Sequence, residues 1–135
     1  MKIYTSYYGN LRKLKAANIV PISIALWTPK WYTGLTCKEV APKAYMLNDE
    51  LTQEQYTEMY KRNVLSQHYP SSIVQKLRRL SQGKDCALLC YEKPGEFCHR
   101  HILAEWLNQE LNAGVEEFDA GCEDDKMPVQ QQLLF

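Results

Sequence analysis

The densest chemistry in this chain is the segment Glu92-Lys93-Pro94-Gly95-Glu96-Phe97-Cys98-His99-Arg100-His101. It places a thiol, two imidazoles, a guanidinium and two carboxylates in one short stretch. An apolar run, Cys86-Ala87-Leu88-Leu89-Cys90-Tyr91, precedes it, and a helical pattern follows it. It therefore reads as a turn from a buried strand to a helix N-terminus. Such a turn offers free backbone N–H groups and the positive end of a helix dipole, which favour an anion. The same field lowers the pKa of a thiol, and Arg100 and His99 beside it lower it further. Cys98 is thus a candidate nucleophile or acid. Glu92 is the candidate orienting or proton-shuttling group, and Arg100 the candidate anion holder.

Helical spacing sorts the neighbours. Arg100, Leu103, Ala104, Leu107 and Leu111 share one apolar stripe, so Arg100 is expected to point over the strand ends and not into solvent. His101, Glu105, Asn108 and Asn112 share the opposite, polar stripe, which sets His101 aside. His99 falls between the two. The competing structural reading makes Cys98 a buried helix-start residue and pairs Arg100 with Glu92. A zinc site from Cys90, Cys98, His99 and His101 is disfavoured, because Cys90 is expected to point into the sheet and His101 to solvent. No metal or cofactor is expected. The Cys-x5-Arg loop of phosphatases is absent.

The elements that position this turn follow from hydrophobic periodicity. Lys2–Tyr7 reads as a strand, and Leu11, Leu14 and Ala17 carry a short helix. Ile19–Leu26 is a nearly continuous apolar run typical of a strand buried on both faces, with Pro21 near its start. Residues 27–51 form a long irregular stretch, which in a compact domain is usually functional or mobile. Thr52-Gln53-Glu54-Gln55 fits a capping box ahead of a helical stripe at Tyr56, Met59, Tyr60 and Val64. Pro70 opens a further helix, with Ile73, Leu77 and Leu80 inward and Gly83 as its stop. Cys86–Tyr91 is a central strand, and a helix runs from about Cys98 to Asn112 with Ile102, Leu103, Trp106, Leu107 and Leu111 in the core. A short strand follows at Val115–Phe118.

That order predicts an α/β fold: a small single domain with a mainly parallel sheet flanked by helices, over residues 1–118. Ligands of such sheets bind beyond the strands' carboxyl ends. Those ends carry Tyr7, Tyr8, Trp27, Lys30, Trp31 and Tyr91. Each aromatic taken singly is best explained as packing; as a group beside an anion site they point to a nucleotide-like ligand. No glycine-rich phosphate loop accompanies them.

The bulk composition bounds these readings. The chain has 135 residues, 45% hydrophobic and 24% charged, with 16 basic and 16 acidic residues. This suits one globular domain and excludes disorder throughout. No apolar run approaches the roughly 20 residues that span a bilayer, and no signal peptide is visible, so a soluble cytoplasmic domain without membrane partners is expected. The neutral total is a cancellation: residues 1–115 carry a net +5 and residues 116–135 a net −5. The five cysteines are odd in number and contain no Cys-x-x-Cys pair, which argues against a disulfide framework or a zinc ribbon.

Residues 119–135 read as a flexible acidic tail. Its end, Gln130-Gln131-Gln132-Leu133-Leu134-Phe135, matches at Gln131, Leu134 and Phe135 the Gln-x-x-Leu-Phe pattern of peptides that bind the bacterial sliding clamp. A Leu-Phe anchor enters an apolar pocket in such complexes. The alternative is that Leu133, Leu134 and Phe135 fold back onto the domain.

The segments Leu88-Leu89-Cys90-Tyr91-Glu92-Lys93-Pro94, Cys98-His99-Arg100 and Ile102-Leu103-Ala104-Glu105-Trp106-Leu107 together resemble the signature of the domain of unknown function 488 (DUF488) family. In that family a strand ends in Cys-x-Glu and a Cys-His-Arg triplet opens the next helix. Ile3-Tyr4-Thr5-Ser6 resembles the family's first strand, which usually continues into Gly-His-Ser; here Tyr7-Tyr8-Gly9 stands instead. The family's Asp-x-Arg after the second strand is not evident, and Ser23-Ile24-Ala25 and Trp27-Thr28-Pro29 occupy that region. The chain thus resembles a short, divergent branch. The resemblance spans roughly residues 1–115. It implies a small α/β domain with its site at Glu92, Cys98, His99 and Arg100, and it implies no particular reaction.

Three functional expectations follow. The first is an enzyme acting on an anionic, nucleotide-like small molecule or a nucleic acid at the Cys-His-Arg turn. The second is a non-catalytic nucleotide or nucleic-acid binding module, docked to the sliding clamp by its tail. The third is a structural interaction domain whose turn is only a folded ion-pair cluster.

Overall fold

The structure, a computed structural model, describes residues 1–118. The tail at 119–135, with Gln131, Leu134 and Phe135, lies outside the described residues. Strands β1 (Ile3–Tyr7), β2 (Val20–Ser23), β3 (Leu35–Thr36), β4 (Cys86–Cys90) and β5 (Glu116–Glu117) form one sheet in the order β3-β2-β4-β1-β5. Every neighbouring pair is parallel. Helices α1 (Leu11–Ala16), α2 (Gln53–Asn63), α3 (Pro70–Ser81) and α4 (His99–Leu111) supply the connections. No described helix is long and apolar enough to cross a membrane.

The central strand explains the two-sided core. All five residues of β4 are buried, as expected for a parallel strand covered on both faces. Alternation then divides its side chains. Cys86 and Leu88 join the larger core, with Ile22, Tyr60, Leu77, Leu103 and Leu107. Ala87 and Leu89 join a smaller one, with Tyr8, Leu14 and Ile19. Cys90 continues the Cys86–Leu88 face, the face that α4 covers.

β2 is shorter than the apolar run that encodes it. The amides of Val20 and Ile24 bond to the carbonyls of Asp85 and Leu89 on the β4 side. Position 21, one residue out of phase, therefore faces the β3 side. Pairing with β3 begins only at Ile22, so the N–H that Pro21 lacks has no partner strand to lose.

The helix signals act as their chemistry predicts. Gln55 N–H donates to Thr52 Oγ1 at 3.0 Å while Thr52 N–H donates to Gln55 Oε1 at 2.9 Å, closing the capping box of α2. Pro70 occupies the first turn of α3, which ends on left-handed Gln82 and Gly83 (φ 57° and 80°). Two expectations need correction. The stretch 27–51 holds a strand, β3, and two 3-10 turns, and it buries Cys37, Val40 and Met46. Leu111 is exposed: it ends α4, one turn beyond Leu107, the last residue of that helix in the buried core.

Candidate functional site

A cavity of about 710 Å³ opens beyond the carboxyl ends of β2 and β4. Its floor is the residue that ends β4, Cys90, together with the residues that begin α4, Cys98 and His99. Its walls include Trp27, Tyr56, Tyr91 and Phe97. Tyr91 Oη donates to the Trp27 carbonyl at 2.7 Å, and Lys38 Nζ donates to the carbonyls of Ala25 and Leu26. These bonds hold the backbone leaving β2 against the rim. The 27–51 stretch closes the far side with Pro42 and Met46.

Cys98 caps α4 in an extended conformation, and its Sγ accepts from the Arg100 N–H at 3.5 Å. Against the expectation of free thiols, Cys98 is joined to Cys90 by a disulfide. The expectation that Cys90 points away into the sheet fails for a simple reason. A strand has two faces, and position 90 lies on the one that meets the start of α4.

His99 is buried, and its Nε2 lies 2.8 Å from the Ile24 carbonyl oxygen. A carbonyl only accepts, so Nε2 carries the proton. Burial pushes the imidazole pKa down to about 4, so the ring is neutral at neutral pH and Nδ1 keeps its lone pair. Nδ1 faces Cys98 Sγ at 3.8 Å. The ligand-type atoms of Cys90, Cys98 and His99 all lie within 4.8 Å of one another.

Arg100 does not behave as an anion holder. Its side chain is fully buried. Its Nε and Nη2 bond to Glu117 Oε1 and Oε2 at 3.2 and 2.9 Å. Its Nη1 donates to Cys90 Sγ at 3.1 Å and to the Glu92 carbonyl at 2.6 Å. The structural alternative chose the wrong carboxylate: Arg100 pairs with Glu117 and touches Glu92 only through its backbone. Glu92 lines the cavity, and burial holds its carboxyl above the ordinary range despite Arg100 nearby.

The ring-bearing candidates divide into two groups. Trp27 and Tyr91 line the cavity. Tyr8 and Trp31 do not; they pack edge-on, and Tyr8 also meets Tyr32 and Tyr91. Tyr8 further hydrogen-bonds Ser23 at 2.5 Å, as a core residue of the opposite face. Tyr7 and Lys30 do not line the cavity. The sequence reading set Cys90 aside on its expected direction, and it did not single out Tyr56, Phe97 or Glu117 as site residues. Period-2 alternation along β4 was the available signal for Cys90, while Glu117 carried none.

The chain matches the family model described as the active DUF488-N3 subclade over residues 10–111. The chain belongs to the DUF488 family. The matched span holds Cys90, Glu92, Cys98, His99 and Arg100, and leaves out β1 and Glu117. No curated protein and no solved structure matches the chain.

Proposed function

We propose that this DUF488 chain is an enzyme acting on an anionic, ring-bearing substrate of nucleotide size. The observation that carries the reading is the convergence of Cys90, Cys98, His99 and Glu92 on one aromatic-walled cavity. Its volume of about 710 Å³ falls within the range of small-molecule sites, about 300–1,000 Å³. Tyr56 and Phe97, which pack edge-on with ring centres 5.5 Å apart, and Trp27 offer faces and edges to a flat ring. Since Arg100 is committed to Glu117, support for an anion comes from helix ends instead. α2 opens on the cavity at Thr52 and Gln53, and α4 opens on it at Cys98 and His99. Two positive dipole ends thus face one space. Glu92, with its raised pKa, is placed to hold and transfer a proton. The description of the matched subclade as active favours turnover over a purely structural role.

Nucleoside mono-, di- and triphosphates and short single-stranded oligonucleotides test this on the reduced full chain, by thermal shift and by product analysis. At least one class raises the melting temperature, by less as salt rises, and Glu92→Gln retains binding while losing turnover. Binding without turnover moves the assignment to a non-catalytic module. Absence of binding by every class removes the reading. For the tail, recruitment to a sliding clamp is a separate proposal carried by Gln131, Leu134 and Phe135. Equal clamp retention by the full chain and a chain lacking residues 130–135 ends it.

A further inference from the structure

We propose that Cys90, Cys98 and His99 of the reduced protein form a metal site. It is a thiolate, thiolate, imidazole centre for zinc or a zinc-like divalent ion, with its remaining position facing the cavity. This deepens the proposed function by naming what the reactive end of that cavity holds.

The donor set and its spacing are the first argument. Three ligand-type atoms lie within 4.8 Å of one another on three buried residues. Two thiolates and one imidazole with a fourth position open are the protein ligands of one class of catalytic zinc site. The Cα atoms of Cys90 and Cys98 stand 7.5 Å apart, beyond the span of about 4.4–6.8 Å over which disulfides usually close. An ion shared by two thiolates, each at about 2.3 Å, needs no such approach of the chain.

The surroundings of each ligand are the second, independent argument. Metal-bound imidazoles almost always donate their other N–H to a carbonyl, carboxylate or water. His99 does this through Nε2 to Ile24, which leaves Nδ1 as the donor atom beside Cys98 Sγ, within the cluster that Cys90 Sγ completes. Each sulfur in turn has an N–H donor that stabilises its thiolate. Cys90 Sγ receives Arg100 Nη1, and Cys98 Sγ receives the Arg100 backbone N–H. One residue thus serves both ligands, and Glu117 on its far side holds it in place. The open position follows from the lining of the cavity, which includes all three ligand residues together with Glu92. An ion there acts as a Lewis acid on a substrate oxygen or a bound water. On this reading Cys98 is a ligand and not the nucleophile.

A phosphine reduces the Cys90–Cys98 bridge with one water: the S–S bond takes two electrons from phosphorus, the water gives its two protons to the two thiols and its oxygen to phosphorus, and the reductant leaves as phosphine oxide. The ion then binds both sulfurs and His99 Nδ1, and the two thiol protons are released. No further redox change occurs.

The full chain, reduced with a phosphine under anaerobic conditions and freed of metal, is titrated with Co²⁺ and then Zn²⁺. One equivalent of cobalt should develop tetrahedral d–d bands and thiolate charge-transfer absorption, with two protons released per ion, and zinc should bleach both. X-ray absorption of the wild-type zinc form should show two sulfur ligands near 2.3 Å and nitrogen or oxygen near 2.0 Å. This measurement needs no variant to fold. Cys90→Ser and His99→Gln should lose the cobalt spectrum, and His101→Gln should keep it. Failure of the reduced chain to take one equivalent, a bound ion with no sulfur neighbour, or a Cys90→Ser spectrum equal to wild type each overturns the site. Nucleotide binding is measured on the same metal-free sample. A nucleotide that binds where cobalt does not leaves the proposed function standing and removes the metal; the reverse result removes the function and keeps the metal.

Discussion

Arg100 and Glu117 meet as a fork: Nε to Oε1 at 3.2 Å and Nη2 to Oε2 at 2.9 Å. The guanidinium is fully buried, while the carboxylate side chain keeps 26% of its exposure. The two ends of the pair are therefore unequal. Glu117→Gln strands a buried charge and should cost on the order of 2–3 kcal/mol, less than a wholly enclosed pair because Glu117 reaches water. Arg100→Met leaves a carboxylate that can be hydrated, still bonded to Thr5 Oγ1, and should cost less than Glu117→Gln. Urea unfolding of both variants checks the order; equal costs would show that enclosure of the guanidinium is not the source of the loss.

In the metal-free, disulfide-bridged chain, protonation of His99 should weaken the fold in acid. Its pKa is about 4 in the fold, against 6.5 unperturbed, with burial as the main cause. Between those values the unfolded chain binds the proton more readily, so the contribution is intact above pH 6.5 and is lost as pH falls through about 4. The total is about 3 kcal/mol. His99→Gln should flatten the pH dependence of unfolding in that window, and His101→Gln should leave most of it in place.

The cysteines should separate by reactivity. Burial pushes the Cys37 thiol up to about 11 and Cys86 up to about 12, so both are protonated at neutral pH. In the oxidised fold Cys90 and Cys98 are bridged. After reduction these two, at the cavity and beside N–H donors, should alkylate well before Cys37 and Cys86, which should label only on unfolding. Peptide mapping by mass spectrometry resolves the order. Labelling of Cys37 at the rate of Cys98 in the reduced native chain would contradict it.

Tyr56 should govern the affinity for a ring-bearing ligand. It lines the cavity and stacks on Tyr60 at 6.3 Å. Tyr56→Ala should weaken a ring-bearing ligand by about 1–3 kcal/mol, the usual worth of stacking on one ring, or roughly 5- to 150-fold. Tyr69→Ala, at a tyrosine that is 79% exposed and away from this cavity, should leave affinity unchanged. Calorimetry of the two variants with one nucleotide makes the comparison.

Much of the architecture was legible because local rules act within a turn or two of chain. The Thr52–Gln55 capping box, Pro70 at the start of α3 and Cys98 at the head of α4 are encoded by neighbours in sequence. The parallel sheet followed from an apolar strand run at Cys86–Cys90 alternating with helical stripes. β3 escaped because two residues carry no period, and Leu111 misled because its stripe continues one turn past Leu107, the last α4 residue in the buried core.

The sequence by itself determined that a thiol, an imidazole and a guanidinium stand together at a strand-to-helix turn, since strand, turn and helix N-terminus are all local events. Only the tertiary structure decided what each one faces. The alternation of β4 turned Cys90 toward Cys98, the end of β2 brought the Ile24 carbonyl to His99, and β5 carried Glu117 to Arg100. Those partners lie 8, 75 and 17 residues apart, and a burial pattern records that a side chain turns inward without recording what it meets there.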